Sequence, residues 1–403
     1  MRRGKPSPEP GEPLPAQRRA GITSVTTVCV TPLTLGYPEG GGHLWVYLNW
    51  ALSLRALDCR VLWLEDIGEL AATRPRPEVE RHIATLDARL ESYGLGGTLA
   101  LTSFRGRELE PRIVDGRPSL EIVAAEADVV LDFAYDTPAW ALAKFRKTAL
   151  VDLDPGLLQL WMSQGKLQVS DHDLFLTIGE TVGTSEARFP DGGLRWQHTP
   201  SPVFLGAWPP TEAVEGPYTT VTNWWGDWIE LDGEAVCNDK RTAFLDYAEL
   251  PARINRPLEM AVTLDDYTAE TDVPVLERGG WNVRDAWEAC PTPEDYRAYI
   301  QGSRAEFSCA KPSCRLLANA WISDRTLCYL ASAKPAVVEH TGPSRFLPEA
   351  EGLLRFRDLN GAAAAIEAVE ADYEHHSRLA RELAEEHFDG EKVVRRVLEL
   401  ALA

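Results

Sequence analysis

A handful of places in the 403-residue sequence pair residue types able to do chemistry with an element end able to hold them. Gly40-Gly41-Gly42-His43 sets three residues without side chains ahead of an imidazole and an apolar run. Bare N–H groups at the positive end of a helix attract anions, and an imidazole at that rim can accept or give a proton near neutral pH. Ser323-Asp324-Arg325-Thr326 opens a second helix with a capping serine and a guanidinium, which is anion chemistry with a fixed cation added. Lys311 directly follows a strand and supplies a point charge. Glu339 closes another strand and can accept hydrogen bonds from hydroxyls. Arg278, before Gly279-Gly280, is a lesser candidate cation.

The glycine stretch has one specific rival reading, a dinucleotide fingerprint. That motif needs its glycines in the turn directly after the first strand and a third glycine where helix meets sheet. Here about ten residues separate Val30 from Gly40, and the third position holds Trp45. Glu65 stands where a ribose-binding acid would, but one match does not make the motif. The glycines are expected instead to line a cleft, with His43 at its rim.

Other constellations are weaker. Asp152/Asp154 and Asp171/Asp173 are i,i+2 carboxylate pairs, which share a face only in extended chain. A helix cap explains Asp154 more simply than a metal, and no metal site is expected. Trp224, Trp225 and Trp228 could stack on a base or sugar, or pack the interior. The seven cysteines are scattered without a CxxC pair, as in reduced thiols of a cytoplasmic protein. Hydrolase and P-loop signatures are absent. A formal charge of −20 speaks against a nucleic-acid partner. No apolar run approaches the ~20 residues that span a bilayer.

The elements that must position these residues alternate. β-Branched runs at 23–32, 59–65, 127–134, 148–155 and 174–180 read as buried strands with helices between them. One of those helices, over about 43–57, is apolar almost all round and so is packed on several sides. Pro and Gly cluster at 198–217 as a linker. The pattern then restarts with strands at 218–226, 258–265 and 305–311, a capped helix at 292–303, and helices to the C-terminus. This is α/β: residues 1–20 a disordered tail, 21–205 a first doubly wound domain, 206–217 a linker, 218–375 a second such domain, and 376–403 terminal helices.

Over residues 292–360 the sequence resembles the C-terminal half of nucleotide-sugar glycosyltransferases of the GT-B fold. Ala331-Ser332-Ala333-Lys334-Pro335 is similar to that family's "AS-G-KP" turn, with Ala333 in place of the usual glycine. Gly352, Leu353, Leu354, Phe356, Asp358 and Ala362–Ile366 match the segment that follows. The resemblance implies two Rossmann-like domains facing across a cleft, with the C-terminal helices crossing back to brace the first. The nucleotide-sugar, a substrate and not a cofactor, would lie on the second domain and an acceptor on the first. Donor contacts would come from Lys311, Ser323, Asp324, Arg325 and Glu339. His43 would be the base, beside Gly40, Gly41 and Gly42. One departure stands out: the second glutamate of the Glu-x7-Glu motif of many retaining members falls at Cys328. That leaves the stereochemistry open, and leaves room for a degenerate, non-catalytic partner protein or an epimerase of the same fold. Acceptor, sugar, base and oligomeric state are not encoded in these motifs.

Overall fold

The computed structural model describes residues 25–104, 109, 111–114, 116–231, 233–347 and 351–403, so the tail expected at 1–20 lies outside them. The first domain is a seven-stranded parallel sheet. Its strands are β1 (Thr27–Thr31), β2 (Arg60–Asp66), β3 (Leu99–Thr102), β4 (Val129–Asp132), β5 (Thr148–Asp152), β6 (Leu174–Thr177) and β7 (Trp196–His198). They run in the order β3-β2-β1-β4-β5-β6-β7. In the second domain come β8 (Tyr218–Thr222), the antiparallel hairpin β9 (Trp228–Leu231) and β10 (Glu234–Cys237), then β11 (Leu258–Val262), β12 (Trp281–Asp285), β13 (Ala305–Ser308), β14 (Ala336–Glu339) and β15 (Leu353–Phe356). Its main sheet has six strands in the order β12-β11-β8-β13-β14-β15. Both main sheets reverse their winding beside the first strand of the domain, the switch point where open α/β sheets leave a crevice at the carboxyl ends.

The strands form where β-branched and aliphatic residues run together: β1, β3, β4 and β5 are buried along their whole length, as parallel strands covered on both faces must be. The apolar helix Gly41–Ala56 is buried on several sides because it meets both the helix Pro293–Gln301 and the C-terminal helix Gly390–Ala401. Trp45 Nε1 donates to the carbonyl of Pro293 at 2.8 Å, so the first domain's central helix is bonded to the second domain.

The C-terminal helices do cross back. Helix Tyr373–Leu383 packs on helix Asp324–Ala331, and after a π-helical turn at Ala384–Phe388 the helix Gly390–Ala401 lies on Gly41–Ala56. The crossing is tight: a Cβ on Gly390 would sit 1.9 Å from Ser53 Oγ. Where the chain first passes between domains, Val203 N–H donates to Phe388 O (2.8 Å) and Gly390 N–H to Val203 O (2.9 Å). In the turn of the sequence resemblance, Ala333 has φ 60, a left-handed conformation that explains why glycine is usual there. Lys334 beside it is buried, and its ammonium donates to the carbonyl of Glu212 at 2.7 Å.

Candidate functional site

A cavity of about 480 Å³ lies between the domains, with Tyr37, Gly42 and His43 on one wall and Asn223, Trp287, Ser323, Asp324 and Arg325 on the other. The loop that carries the glycines is folded over Glu65. This buried carboxylate accepts from the N–H groups of Thr34 (3.1 Å) and Leu35 (3.3 Å), from Trp63 Nε1 (2.9 Å) and from the Thr34 hydroxyl. Burial outweighs those bonds and pushes its pKa up to about 7. Glu65 therefore shapes the loop. Gly40 (φ 92) and Gly41 (φ 43) make a left-handed entry to the helix, and a Cβ on Gly42 would lie 2.5 Å from the Tyr296 ring. The glycines let the start of the first-domain helix touch the second domain.

His43 is exposed on this rim, with its ring edge-on to Tyr47. Its Nε2 stands 2.8 Å from the Leu33 carbonyl oxygen. A carbonyl can only accept, so Nε2 carries the proton and Nδ1 is left as the lone-pair nitrogen. Across the cavity Asp324 is close enough that His43 and Arg325 both oppose the rise in its pKa caused by burial.

On the second domain, Ser323 caps its helix by accepting from Arg325 N–H at 3.3 Å. The Arg325 guanidinium reaches back beneath the sheet ends. It donates to Glu306 Oε1 (2.8 Å), to the Val221 carbonyl (2.7 Å) and to Ser308 Oγ. Its charge is thus balanced by a buried carboxylate, with guanidinium N–H groups still to spare. Glu339 accepts from Ala310 N–H (2.9 Å) and from Arg315 (3.1 Å), tying down the loop after β13. Lys311 ends that loop, half-buried and without a carboxylate partner among the described residues.

The residue missed in the sequence is Lys240. It starts the helix Lys240–Leu245 behind an Asp239 cap, is buried, and donates to the Cys309 carbonyl. Burial, then the nearby Arg325 and more weakly Lys311, push its pKa down to about 8. No carboxylate among the described residues pairs with it. A cation that is buried and unpaired is costly unless an anion joins it. The hairpin β9–β10 separates Lys240 from the strand end it serves, so no strand-to-loop spacing pointed to it. Tyr37 and Trp287, edge-on at 4.8 Å in the cavity wall, were likewise unread.

The remaining candidates lie elsewhere. Trp224 is buried and bonded to Asp272, while Trp225 and Trp228 are surface residues of the hairpin region. Arg278 ends a helix whose Gly280 cap precedes β12, so it sits at the amino end of that strand, away from the cavity. A Cβ on Gly279 would meet the Ala248 carbonyl at 1.9 Å, which makes the glycine pair a packing and capping device. Asp152 is closed off by Gln159, Thr177 and Asp154 N–H, and Asp173 by Thr148. Among the described residues no cluster of His, Cys, Asp or Glu is arranged to hold a metal ion. Nor is any helix long and apolar enough to cross a membrane.

Two parallel-sheet Rossmann-like domains facing across a cleft, with terminal helices returning to the first, are the GT-B fold, and solved structures of glycosyltransferases share it over nearly the whole chain. Sucrose-phosphate synthase from Thermosynechococcus elongatus is 12% identical with a TM-score of 0.55, covering 93% of this chain and 98% of its own. HepE of Anabaena, solved in complex with UDP, is 10% identical with a TM-score of 0.54 over 93% and 99%. An alpha-glucosyltransferase solved with UDP and a 13-mer DNA is 9% identical with a TM-score of 0.57 over 94% and 100%. No family model matches the chain, and no curated protein matches it in sequence.

Proposed function

We propose that this chain transfers a hexosyl group from a nucleoside-diphosphate sugar to an acceptor hydroxyl in the interdomain cleft, without a bound metal ion. The observation that carries the reading is the cation group Lys240, Lys311 and Arg325, two of them without carboxylates, at the carboxyl ends of the second sheet. Arg325 of that group shares the cavity wall with His43, whose Nε2 is engaged by the Leu33 carbonyl and whose Nδ1 is left to act as the base. In the proposed step the acceptor O–H proton passes to His43 Nδ1 while the acceptor oxygen bonds to the anomeric carbon. The bond from that carbon to the phosphate oxygen breaks, and its electrons leave on the diphosphate. Lys240, Lys311 and the N–H groups at Ser323–Arg325 stabilise the growing charge. Tyr37 and Trp287 offer apolar faces for a sugar ring. That HepE and the alpha-glucosyltransferase were solved with UDP supports a nucleoside diphosphate as the ligand.

The test is thermal unfolding of the purified protein with millimolar UDP, GDP, dTDP, ADP or NAD. A ligand at ~100 times its Kd adds about 2.7 kcal/mol of stability. Stabilisation by one nucleoside diphosphate and not by NAD is the expected result. A response to NAD alone would sink the reading. Silence from the whole panel would favour a degenerate partner protein, in keeping with the buried Cys328 where retaining relatives of the fold carry a glutamate.

A further inference from the structure

A second cavity, of about 690 Å³, shares no lining residue with the first. Arg188 of the first domain meets Arg315, His340, Arg355 and Arg357 of the second in its wall. In a chain of net charge −20 such a concentration of cations needs a reason. Arg315 is set against Glu339 at 3.1 Å. Arg188 and Arg357 have no carboxylate partner among the described residues. The wall is also built in advance. The Arg355 guanidinium is pinned by the carbonyls of Gly342 (2.9 Å) and Leu347 (3.2 Å), and His340 N–H by the Phe356 carbonyl (2.8 Å). A Cβ on Gly342 would stand 2.5 Å from the Ala318 carbonyl, so the turn beneath the cavity closes only with glycine.

The imidazole of His340 is an independent sign that this pocket suits a hydrogen-bond acceptor. Its Nδ1 faces the Gly342 N–H at 3.0 Å, and its Nε2 faces the Arg357 guanidinium at 2.8 Å. Both partners are donors. A neutral imidazole carries one proton, so in either tautomer one contact sets donor against donor. A second proton would set donors against donors at both nitrogens, and burial, Arg355 and Arg357 in any case hold its pKa down to about 4. An anion lying between the ring and the guanidiniums removes the conflict, because it accepts from Nε2–H and from Arg357 together.

We infer that this arginine-lined pocket at the domain seam is a second ligand site, which binds a dianionic phosphate group by paired guanidinium contacts from Arg188 and Arg357. Guanidinium forks match phosphate oxygens, and a cavity of this size is in the range that holds a small molecule as well as its phosphate. The group comes either as free phosphate or as the monoester of a larger molecule. Because Arg188 belongs to the other domain, the ligand bridges the two.

Calorimetric titration of the full chain with inorganic phosphate, glucose 6-phosphate and, separately, UDP tests this. The expected result is phosphate binding that weakens at least tenfold in the R188Q/R357Q double variant while the response to UDP is unchanged. Both arginines are exposed, so the variant keeps its fold. Glucose 6-phosphate binding at least tenfold tighter than inorganic phosphate identifies a monoester ligand; equal affinities identify free phosphate. No binding of either at millimolar concentration, or equal binding by the double variant, overturns the inference. So does displacement of phosphate by UDP, which would put the phosphate in the cleft. The cleft reading is unaffected by any failure here, since UDP binding is measured independently.

Discussion

The carboxyl ends of the two sheets carry opposite chemistry. In the first domain β2, β4 and β5 end in or beside acids, and each of these carboxylates is bonded within its own domain. Glu65 is bound by its loop, Asp132 by Thr31, Thr137 and His172, and Asp152 by Gln159 and Thr177. In the second domain the ends and their loops present Lys240, Lys311, Arg315, Arg325 and Arg357, and among the described residues Arg315 and Arg325 face carboxylates while the other three have none. One side has satisfied its charges; the other has cations in hand. On general electrostatic grounds a diphosphate belongs on the second side, and a neutral hydroxyl acceptor suits the first.

That contrast can be broken or sharpened by substitution. The largest effect expected is from His43→Ala, which should lower kcat by about 10²–10⁴-fold, the usual range for a general base, with nucleotide affinity unchanged. Steady-state kinetics beside calorimetry separates the two, and a variant with full turnover removes His43 from the reaction. Lys240→Met should weaken nucleoside-diphosphate binding by about 1.5–3 kcal/mol, the range for hydrogen bonds to charged groups. Its unliganded stability should hold or rise, because a buried unpaired charge is gone. If stability collapses while affinity survives, Lys240 is a structural residue.

Gly42→Ala should destabilise the chain by about 1–3 kcal/mol, since its Cβ would press on Tyr296. Urea unfolding measures it, and a neutral outcome would mean that the helix start and Tyr296 separate freely. The smallest effect concerns pH. Glu65 and Asp152 have folded pKa values raised to about 7, so the native state holds protons that the unfolded chain has released. Their contribution is complete below the ordinary carboxylate range and is lost as pH rises towards about 7. Unfolding followed between pH 4.5 and 8 should show that decline, and Asp152→Asn should flatten it.

Much of this was legible beforehand because parallel α/β sheets write themselves in β-branched runs, as β1, β5 and β8 do. The short strands β3 and β7 and the exposed edge strand β12 carry no such run and were unread. His43 and Ser323–Arg325 were visible because helix starts have a local grammar of glycine and capping serine. What could not be read was charge balance between distant residues. Arg325 looked like a free cation until Glu306, on another strand, was placed against it. Lys240 looked like any surface lysine until the fold buried its ammonium against the Cys309 carbonyl with no carboxylate paired to it among the described residues. Pairing of that kind depends on which strands become neighbours, and single-sequence pattern holds no record of it.

The two passages of the chain between the domains are bonded to each other, through Val203 with Phe388 and Gly390. Stitched together, the two crossings form one fulcrum, with the separate Trp45–Pro293 bond across the domains beside it. The cleft and the arginine-lined seam both lie between the bodies that this fulcrum joins. A tilt of one body on the other would therefore change the span of both cavities together.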